Sequence, residues 1–243
     1  MPEGPSIIIL KDAVQEFKGK KIINVTGNSK LDIQRLHNQT IRDFKSWGKH
    51  FLICFDDFTV RIHFLLFGTY RINEAKQTPP RLGLTFKKGV LNFYACSVQF
   101  IEEDLDKVYD WSADVLNPSF DAKKAKKKLL AAPEMLVCDA LLDQNIFAGS
   151  GNIIKNEVLF RIHVHPLSKT GSLPPKQLKL LINEAVNYSY DFLEWKRAFV
   201  LKQHWLAHTK TMCPRCNIPL IKQYLGKTNR RSYFCINCQL LYQ

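Results

Sequence analysis

The chain has 243 residues, 46% hydrophobic and 12% aromatic, which suits one large domain or two or three small ones and excludes intrinsic disorder. Its formal charge of +13 points to a polyanionic partner; nucleic acid is favoured, although membrane surfaces and acidic proteins would satisfy the same balance. No apolar run approaches bilayer-spanning length, and Met1-Pro2-Glu3-Gly4-Pro5 opens without the basic leader of a secretory signal. A soluble protein of the cytoplasm or nucleoid is therefore expected, with no signal peptide and no membrane segment.

Residues 1–112 read mostly as β structure. One helix is predicted over 7–17, ended by Gly19. Short alternating or apolar runs then predict strands over 21–26, 40–47, 51–55, 59–64, 69–73, 82–86, 90–93 and 97–102. Turn residues such as Asp56-Asp57 and Thr78-Pro79-Pro80 separate them, and so many short strands imply a sandwich or barrel. Asn117-Pro118 breaks the pattern inside a linker over 113–124. A helical region over 125–208 follows, with periodic segments over 135–142, 153–162, 175–190 and 190–206. At its entrance stands the run Lys123-Lys124-Ala125-Lys126-Lys127-Lys128, readable equally as a solvated helix face or as phosphate contacts. The last segment, 209–243, carries two cysteine pairs around a basic, hairpin-like stretch.

Three local motifs carry chemistry. Cys213 and Cys216 form one C-x-x-C pair, and Cys235 and Cys238 the other. Each such turn sets two thiolates on one side of a cation, so two turns complete a tetrahedron around a single structural Zn²⁺ with no position left for water. Cys54, Cys96 and Cys138 sit singly in apolar runs, as buried small hydrophobes do. The second motif, Gly149-Ser150-Gly151-Asn152, makes a tight turn into a helix. Its backbone N–H groups and the Asn152 amide suit a phosphate, though Asn is equally a favoured N-cap. The third is the N-terminus. Trimming of Met1 leaves Pro2 with a secondary amine that is partly neutral near pH 7 and able to form an iminium at sugar C1′. Glu3 stands beside it as a proton shuttle. Read locally, the same residues are a frayed end.

Taken together, Met1-Pro2-Glu3-Gly4-Pro5, Asp143-Gln144 with Gly149-Ser150-Gly151-Asn152, and the four-cysteine segment resemble the formamidopyrimidine-DNA glycosylase and endonuclease VIII family. The likeness spans nearly the whole chain. It includes Gly48-Lys49, Ile62-His63 with Gly68, Glu157 with His165-Pro166, and Arg230-Arg231-Ser232-Tyr233-Phe234-Cys235 with Cys238-Gln239. The resemblance implies an α+β multidomain chain: an N-terminal β-sandwich with a catalytic helix, a helix–two-turn–helix domain, and a C-terminal four-cysteine zinc finger. It further implies a monomeric base-excision-repair enzyme, both DNA glycosylase and abasic-site lyase, with damaged DNA between its halves and the damaged base flipped out. Pro2 would displace the base, Glu3 would move the protons, and elimination would cut the strand. Lys49, Asn152 and Arg230 match the positions that grip flanking phosphates, Lys49 and Arg230 counting also as catalytic. Such contacts position the backbone without reading its sequence.

The likeness has departures. Ser6 replaces a glutamate common after the opening. Leu66 replaces a methionine wedge, a substitution that an apolar filler tolerates. Ala95 and Ser97 interrupt a stretch where the family carries an arginine and a phenylalanine, which puts reading of the opposite base in doubt. Pro-Glu-Gly-Pro looks more like the endonuclease VIII branch, which favours oxidised pyrimidines. The competing readings are a noncatalytic damaged-DNA-binding relative and a generic zinc-ribbon nucleic-acid-binding protein.

Overall fold

The computed structural model describes residues 2–243; the expected removal of Met1 concerns a residue outside them. Two compact units result, the first ending at Tyr109 and the second running Asp110–Gln243. The expected α+β architecture is the one adopted.

Helix α1 (Gly4–Ala13) begins at Gly4 rather than at 7, because Pro5 in the first turn has no N–H to lose and a φ already suited to a helix. It also ends earlier than expected. Val14 leaves the helical region, and a 3-10 turn over Gln15–Phe17 takes over. Ile7, Leu10, Val14 and Phe17 form the buried stripe.

Eight strands build two antiparallel four-stranded sheets. In chain order they are β1 (Ile22–Thr26), β2 (Asp43–Trp47), β3 (His50–Cys54), β4 (Thr59–His63), β5 (Thr69–Ile72), β6 (Leu82–Phe86), β7 (Val90–Tyr94) and β8 (Ser97–Ile101). One sheet runs β1-β6-β7-β5 and the other β2-β3-β4-β8. Phe51, Ile53, Val60 and Ile62 from the second sheet share one core with Leu82, Leu84, Leu91 and Phe93 from the first. This is the expected sandwich, and α1 packs against β2 and β3. A single turn, α2 (Leu105–Val108), closes the unit.

The β2–β3 hairpin shows how local sequence sets a site. Trp47 pairs with His50, leaving Gly48-Lys49 as a two-residue turn. Such turns demand positive φ, which Gly48 supplies at 53°. His50 follows at once, its Nδ1 3.1 Å from the Tyr109 hydroxyl and its ring edge-on to His63. Desolvation, with the charges of Arg61, His63 and Lys49, pushes the His50 imidazole down to about 3. Between that value and the unfolded value near 6.5, only the unfolded chain binds the proton. Stability from neutral His50 is therefore complete above pH 6.5 and is lost as pH falls towards 3, at no more than about 1.4 kcal/mol per pH unit. Denaturant midpoints at pH 7, 6 and 5 should fall less steeply for His50→Phe than for the parent, and equal slopes would exclude this burial.

In the second unit, α3 (Ala122–Leu130) is capped by Asp121, whose carboxylate accepts from the N–H groups of Lys123 and Lys124. The lysine run divides its labour. Lys124 and Lys128, one turn apart, both reach Asp110, at 2.8 and 3.1 Å, while Lys123, Lys126 and Lys127 face solvent. The helix expected over 135–142 shrinks to one turn, α4 (Val137–Ala140). Helix α5 (Asn152–Arg161) is capped by Gly151, so Asn152 is the first helical residue and not the cap. The two helices expected over 175–190 and 190–206 are one helix of 23 residues, α6 (Pro175–Arg197). Its buried stripe of Leu178, Ile182, Ala185, Tyr188 and Phe192 runs through Tyr190 without losing phase. Phe199, at φ 61°, breaks the chain away, and only a 3-10 turn (Leu201–His204) follows. Among the described residues no helix is long and apolar enough to cross a membrane. The C-terminal hairpin pairs β9 (Ile221–Leu225) with β10 (Arg230–Phe234).

Candidate functional site

In the first unit, Pro2 is half-buried and leads directly into α1; Glu3 is fully buried at that helix's N-cap in an extended conformation. The Glu3 carbonyl accepts the Ser6 N–H at 2.8 Å, closing the first turn. Because α1 packs on β2 and β3, whose turn presents Lys49, the sandwich carries Pro2, Glu3 and Lys49 on elements in contact. Leu66 lies on the β4–β5 loop. Gly68 N–H bonds back to the Phe64 carbonyl at 2.7 Å, and a Cβ on Gly68 would stand 2.1 Å from that oxygen, so only glycine closes this turn. The closure pushes three apolar side chains outward: Leu65 is 53% exposed, Leu66 41% and Phe67 84%. The resemblance points to Leu66; Phe67 beside it is the more exposed of the two. Its signal was an apolar run with no alternation where a solvent-facing loop was due. At the interrupted stretch, Ala95 (φ 48°) and buried Cys96 form a tight link from β7 to β8.

In the second unit, the glycine turn is tied down by Gln144. Its Oε1 accepts the Gly149 N–H at 3.0 Å, and its Nε2 donates to the Ser150 carbonyl at 3.1 Å. Gly149, at φ 98°, makes the bend that delivers Asn152 to the head of α5. Asn152 is 9% exposed, and its Nδ2 donates to the Arg231 carbonyl at 3.0 Å. That same carbonyl also receives Lys155 Nζ at 3.2 Å and Asn156 Nδ2 at 3.3 Å. Lys155 further donates to the Ser232 hydroxyl at 2.9 Å, and Asn156 Oδ1 accepts the Tyr233 N–H at 3.1 Å. Helix α5 thus holds residues 231–233 of β10, with Arg230 exposed at the strand's first position. Asn152 Oδ1 and the Ser150 hydroxyl are buried without a hydrogen-bond partner. The sequence motifs name Asn152 and Arg230 but not Lys155 and Asn156, which share the Arg231 carbonyl with Asn152. Their only signal is the polar run Lys155-Asn156-Glu157 between the apolar stretches of the helix. Directly after them, buried Glu157 accepts the N–H groups of Leu206, Ala207 and His208 at 2.7–3.0 Å, fixing the chain that leads to the cysteine segment.

The four paired cysteines converge. One ligand atom from each of Cys213, Cys216, Cys235 and Cys238 lies within 4.8 Å of the others, a group that could hold a metal ion. Cys213 and Cys238 sulfurs are 3.8 Å apart, matching the edge of about 3.8 Å for a tetrahedron with metal–sulfur bonds near 2.3 Å. Neighbouring donors face the sulfurs: Asn237 Nδ2 lies 3.3 Å from Cys216 and Arg215 3.6 Å from Cys238. Arg215 also stacks on Phe160 at 3.8 Å and bonds its carbonyl, joining the cluster to the end of α5. Cys54, Cys96 and Cys138 are buried elsewhere, and desolvation pushes the thiols of Cys96 and Cys138 up to about 11, which leaves them inert.

The formamidopyrimidine-DNA glycosylase N-terminal domain matches residues 1–100, and the formamidopyrimidine-DNA glycosylase H2TH domain matches 112–194. Endonuclease 8-like 3 of Bos taurus is 30% identical over 227 residues, 89% of this chain and 38% of the relative. Endonuclease 8-like 2 of Bos taurus is 33% identical over 196 residues, 74% of this chain and 58% of the relative. The chain thus spans less than two thirds of the length of these relatives. Among solved structures, Lactococcus lactis formamidopyrimidine-DNA glycosylase bound non-covalently to DNA containing an AP site superposes with a TM-score of 0.87 at 22% identity, covering 98% of this chain and 99% of that one. A viral DNA glycosylase gives 0.85 at 20% identity, covering 98% and 100%. These likenesses establish a shared fold.

Proposed function

The chain belongs to the formamidopyrimidine-DNA glycosylase and endonuclease VIII family, and from that premise we propose that it is a bifunctional DNA glycosylase and abasic-site lyase of base excision repair. The observation that carries this reading is the pairing of Pro2 with a fully buried Glu3 at the head of α1, a helix packed on the hairpin that presents Lys49. A simple binder has no use for an accessible amine beside a buried carboxyl group.

With Met1 removed, the Pro2 nitrogen attacks C1′ of a flipped nucleotide. The N–C1′ bond forms as the glycosidic bond breaks, and the base leaves with the bonding pair and a proton. Loss of the amine proton and opening of the sugar ring give an iminium. Removal of a C2′ proton then expels the 3′ phosphate, and a second elimination releases the 5′ side. Glu3 exchanges the protons in these steps. Lys49, Asn152 and Arg230 grip the flanking phosphates, and the apolar tip at Leu66 fills the space left by the extruded base. The four cysteines would hold one Zn²⁺, whose part would be to shape the finger and not to take part in the reaction, because four thiolates would leave water no position. The polyanion implied by the charge of +13 is then damaged DNA, and one copy of the chain supplies every group invoked. The Pro-Glu-Gly-Pro opening favours oxidised pyrimidines as the lesion.

The direct test is a set of oligonucleotides carrying different oxidised bases or an abasic site, single- and double-stranded, assayed for strand cleavage. Cleavage is expected at oxidised pyrimidines and at the abasic site. Binding without cleavage of any of them would replace this reading with a noncatalytic damaged-DNA binder.

The phosphate grip has its own signature. Each phosphate neutralised by a cation contributes about 0.9 to the log–log salt slope on duplex DNA. Arg230→Ala should weaken damaged and undamaged duplexes alike and flatten that slope by about one. Asn152→Ala should weaken binding with the slope unchanged, because a neutral amide displaces no counterion. Fluorescence anisotropy across a salt series reads both effects, and an affinity indifferent to salt would remove the grip altogether.

A further inference from the structure

A two-stranded ribbon is marginal by itself and takes its position from whatever holds it. Helix α5 holds the β9–β10 ribbon through residues 231–233, but β9 is exposed along most of its length, so that grip leaves the far end unaccounted for. The far end is the turn Gly226-Lys227-Thr228-Asn229, which delivers the chain to Arg230. There a single carboxylate from α4 meets it. Asp139 Oδ2 accepts the Lys227 N–H at 2.9 Å, and Oδ1 accepts the Thr228 N–H at 3.2 Å and the Thr228 hydroxyl at 3.1 Å. The fit is close. Gly226 has φ 73°, and a Cβ there would stand 2.4 Å from Asp139 Oδ1, so the backbone lies directly against the carboxylate.

We propose that Asp139 is a positioning residue that pins this turn and so fixes where Arg230 is presented; the inference rests on the reading of Arg230 as a phosphate contact. Three donors converging on an ionised acceptor form charge-assisted bonds, stronger than the neutral bonds that usually hold a surface turn. The pin sits just before Arg230 and the α5 grip just after it, so the arginine is held from both sides. Without the pin the ribbon pivots about α5, and Arg230 occupies its binding position only part of the time. Affinity then falls by that fraction.

Two measurements test this. Amide hydrogen exchange on the free, metal-loaded protein reads the pin without DNA: Asp139→Ala should speed exchange at Lys227 and Thr228 and leave residues 231–233 protected. A double-mutant cycle on abasic duplex binding reads the role. Asp139→Ala should weaken binding about tenfold, the scale of one charge-assisted contact, yet by less than about twofold when Arg230 is already alanine. Zinc content should match the parent, and Asp139→Asn, which keeps one acceptor oxygen, should give an intermediate loss should the alanine variant fold poorly. Unchanged exchange at the turn overturns the pin. Full additivity with Arg230→Ala overturns the positioning role. If Arg230→Ala itself leaves affinity unchanged while the exchange result holds, it is the phosphate-contact reading of Arg230 that fails.

Discussion

Cys235→Ser is expected to empty the metal site and to lower duplex affinity on the order of 100-fold, about 2.8 kcal/mol. Cys235 is fully buried and directly follows β10, so a metal bond there would anchor the strand that begins at Arg230. The finger's own core is small: Leu220, Tyr233 and the cysteines, resting on Phe160 and Ala207. A core of that size does not fold without help, and metal binding supplies on the order of 10 kcal/mol to structural zinc modules. Without the metal, β10 loses its fixed end and Arg230 its placement. The sandwich has a separate core built from α1 and both sheets, so its unfolding transition should survive the substitution. Elemental analysis should give one zinc per parent chain and almost none for the variant. A parent purified without chelator that carries no zinc, or a variant that binds DNA normally, would refute the structural role.

What the sequence disclosed follows the reach of each interaction. The cysteine cluster was legible because each C-x-x-C turn sets its own geometry within four residues, and the strands because their alternation and turns are equally local. The gap between the strands expected over 40–47 and 51–55 falls where the β2–β3 turn lies, though the two-residue turn at Gly48-Lys49 is seen only in the structure. Where a local rule met a competing one, boundaries moved. The helix expected from residue 7 begins at Gly4 with Pro5 in its first turn, and Tyr190, where two helical segments were expected to meet, lies mid-helix in α6. The position of Asn152 could be read, but not its burial against the Arg231 carbonyl, 79 residues away. Lys155 with Ser232, Asp139 with Thr228, and the hold of Asp110 on Lys124 and Lys128 were all invisible, because no local pattern names a distant partner. Pro2 and Glu3 emerged only through resemblance, since taken alone they read as a loose end.

In the proposed mechanism catalysis turns on the Pro2 amine, and trapping it with DNA is the most direct measurement. Protein trimmed of Met1, incubated with abasic-site DNA and borohydride, should yield a stable covalent adduct, because hydride reduces the electrophilic C=N of an iminium to an amine. Peptide mapping should place that adduct on Pro2. One residue added before Pro2 should abolish it entirely, since the nitrogen becomes a nonbasic amide while the fold of α1 is kept. Glu3→Gln should still bind abasic DNA but slow removal of a damaged base by about 10²–10⁴-fold, as expected when a proton-transfer group loses its titrating carboxyl. An adduct on Pro2 that disappears with the added residue is the result this mechanism requires. An adduct mapping to an internal lysine would assign the nucleophile elsewhere, and a trimmed protein that forms no adduct and cuts no lesion would contradict the enzyme altogether.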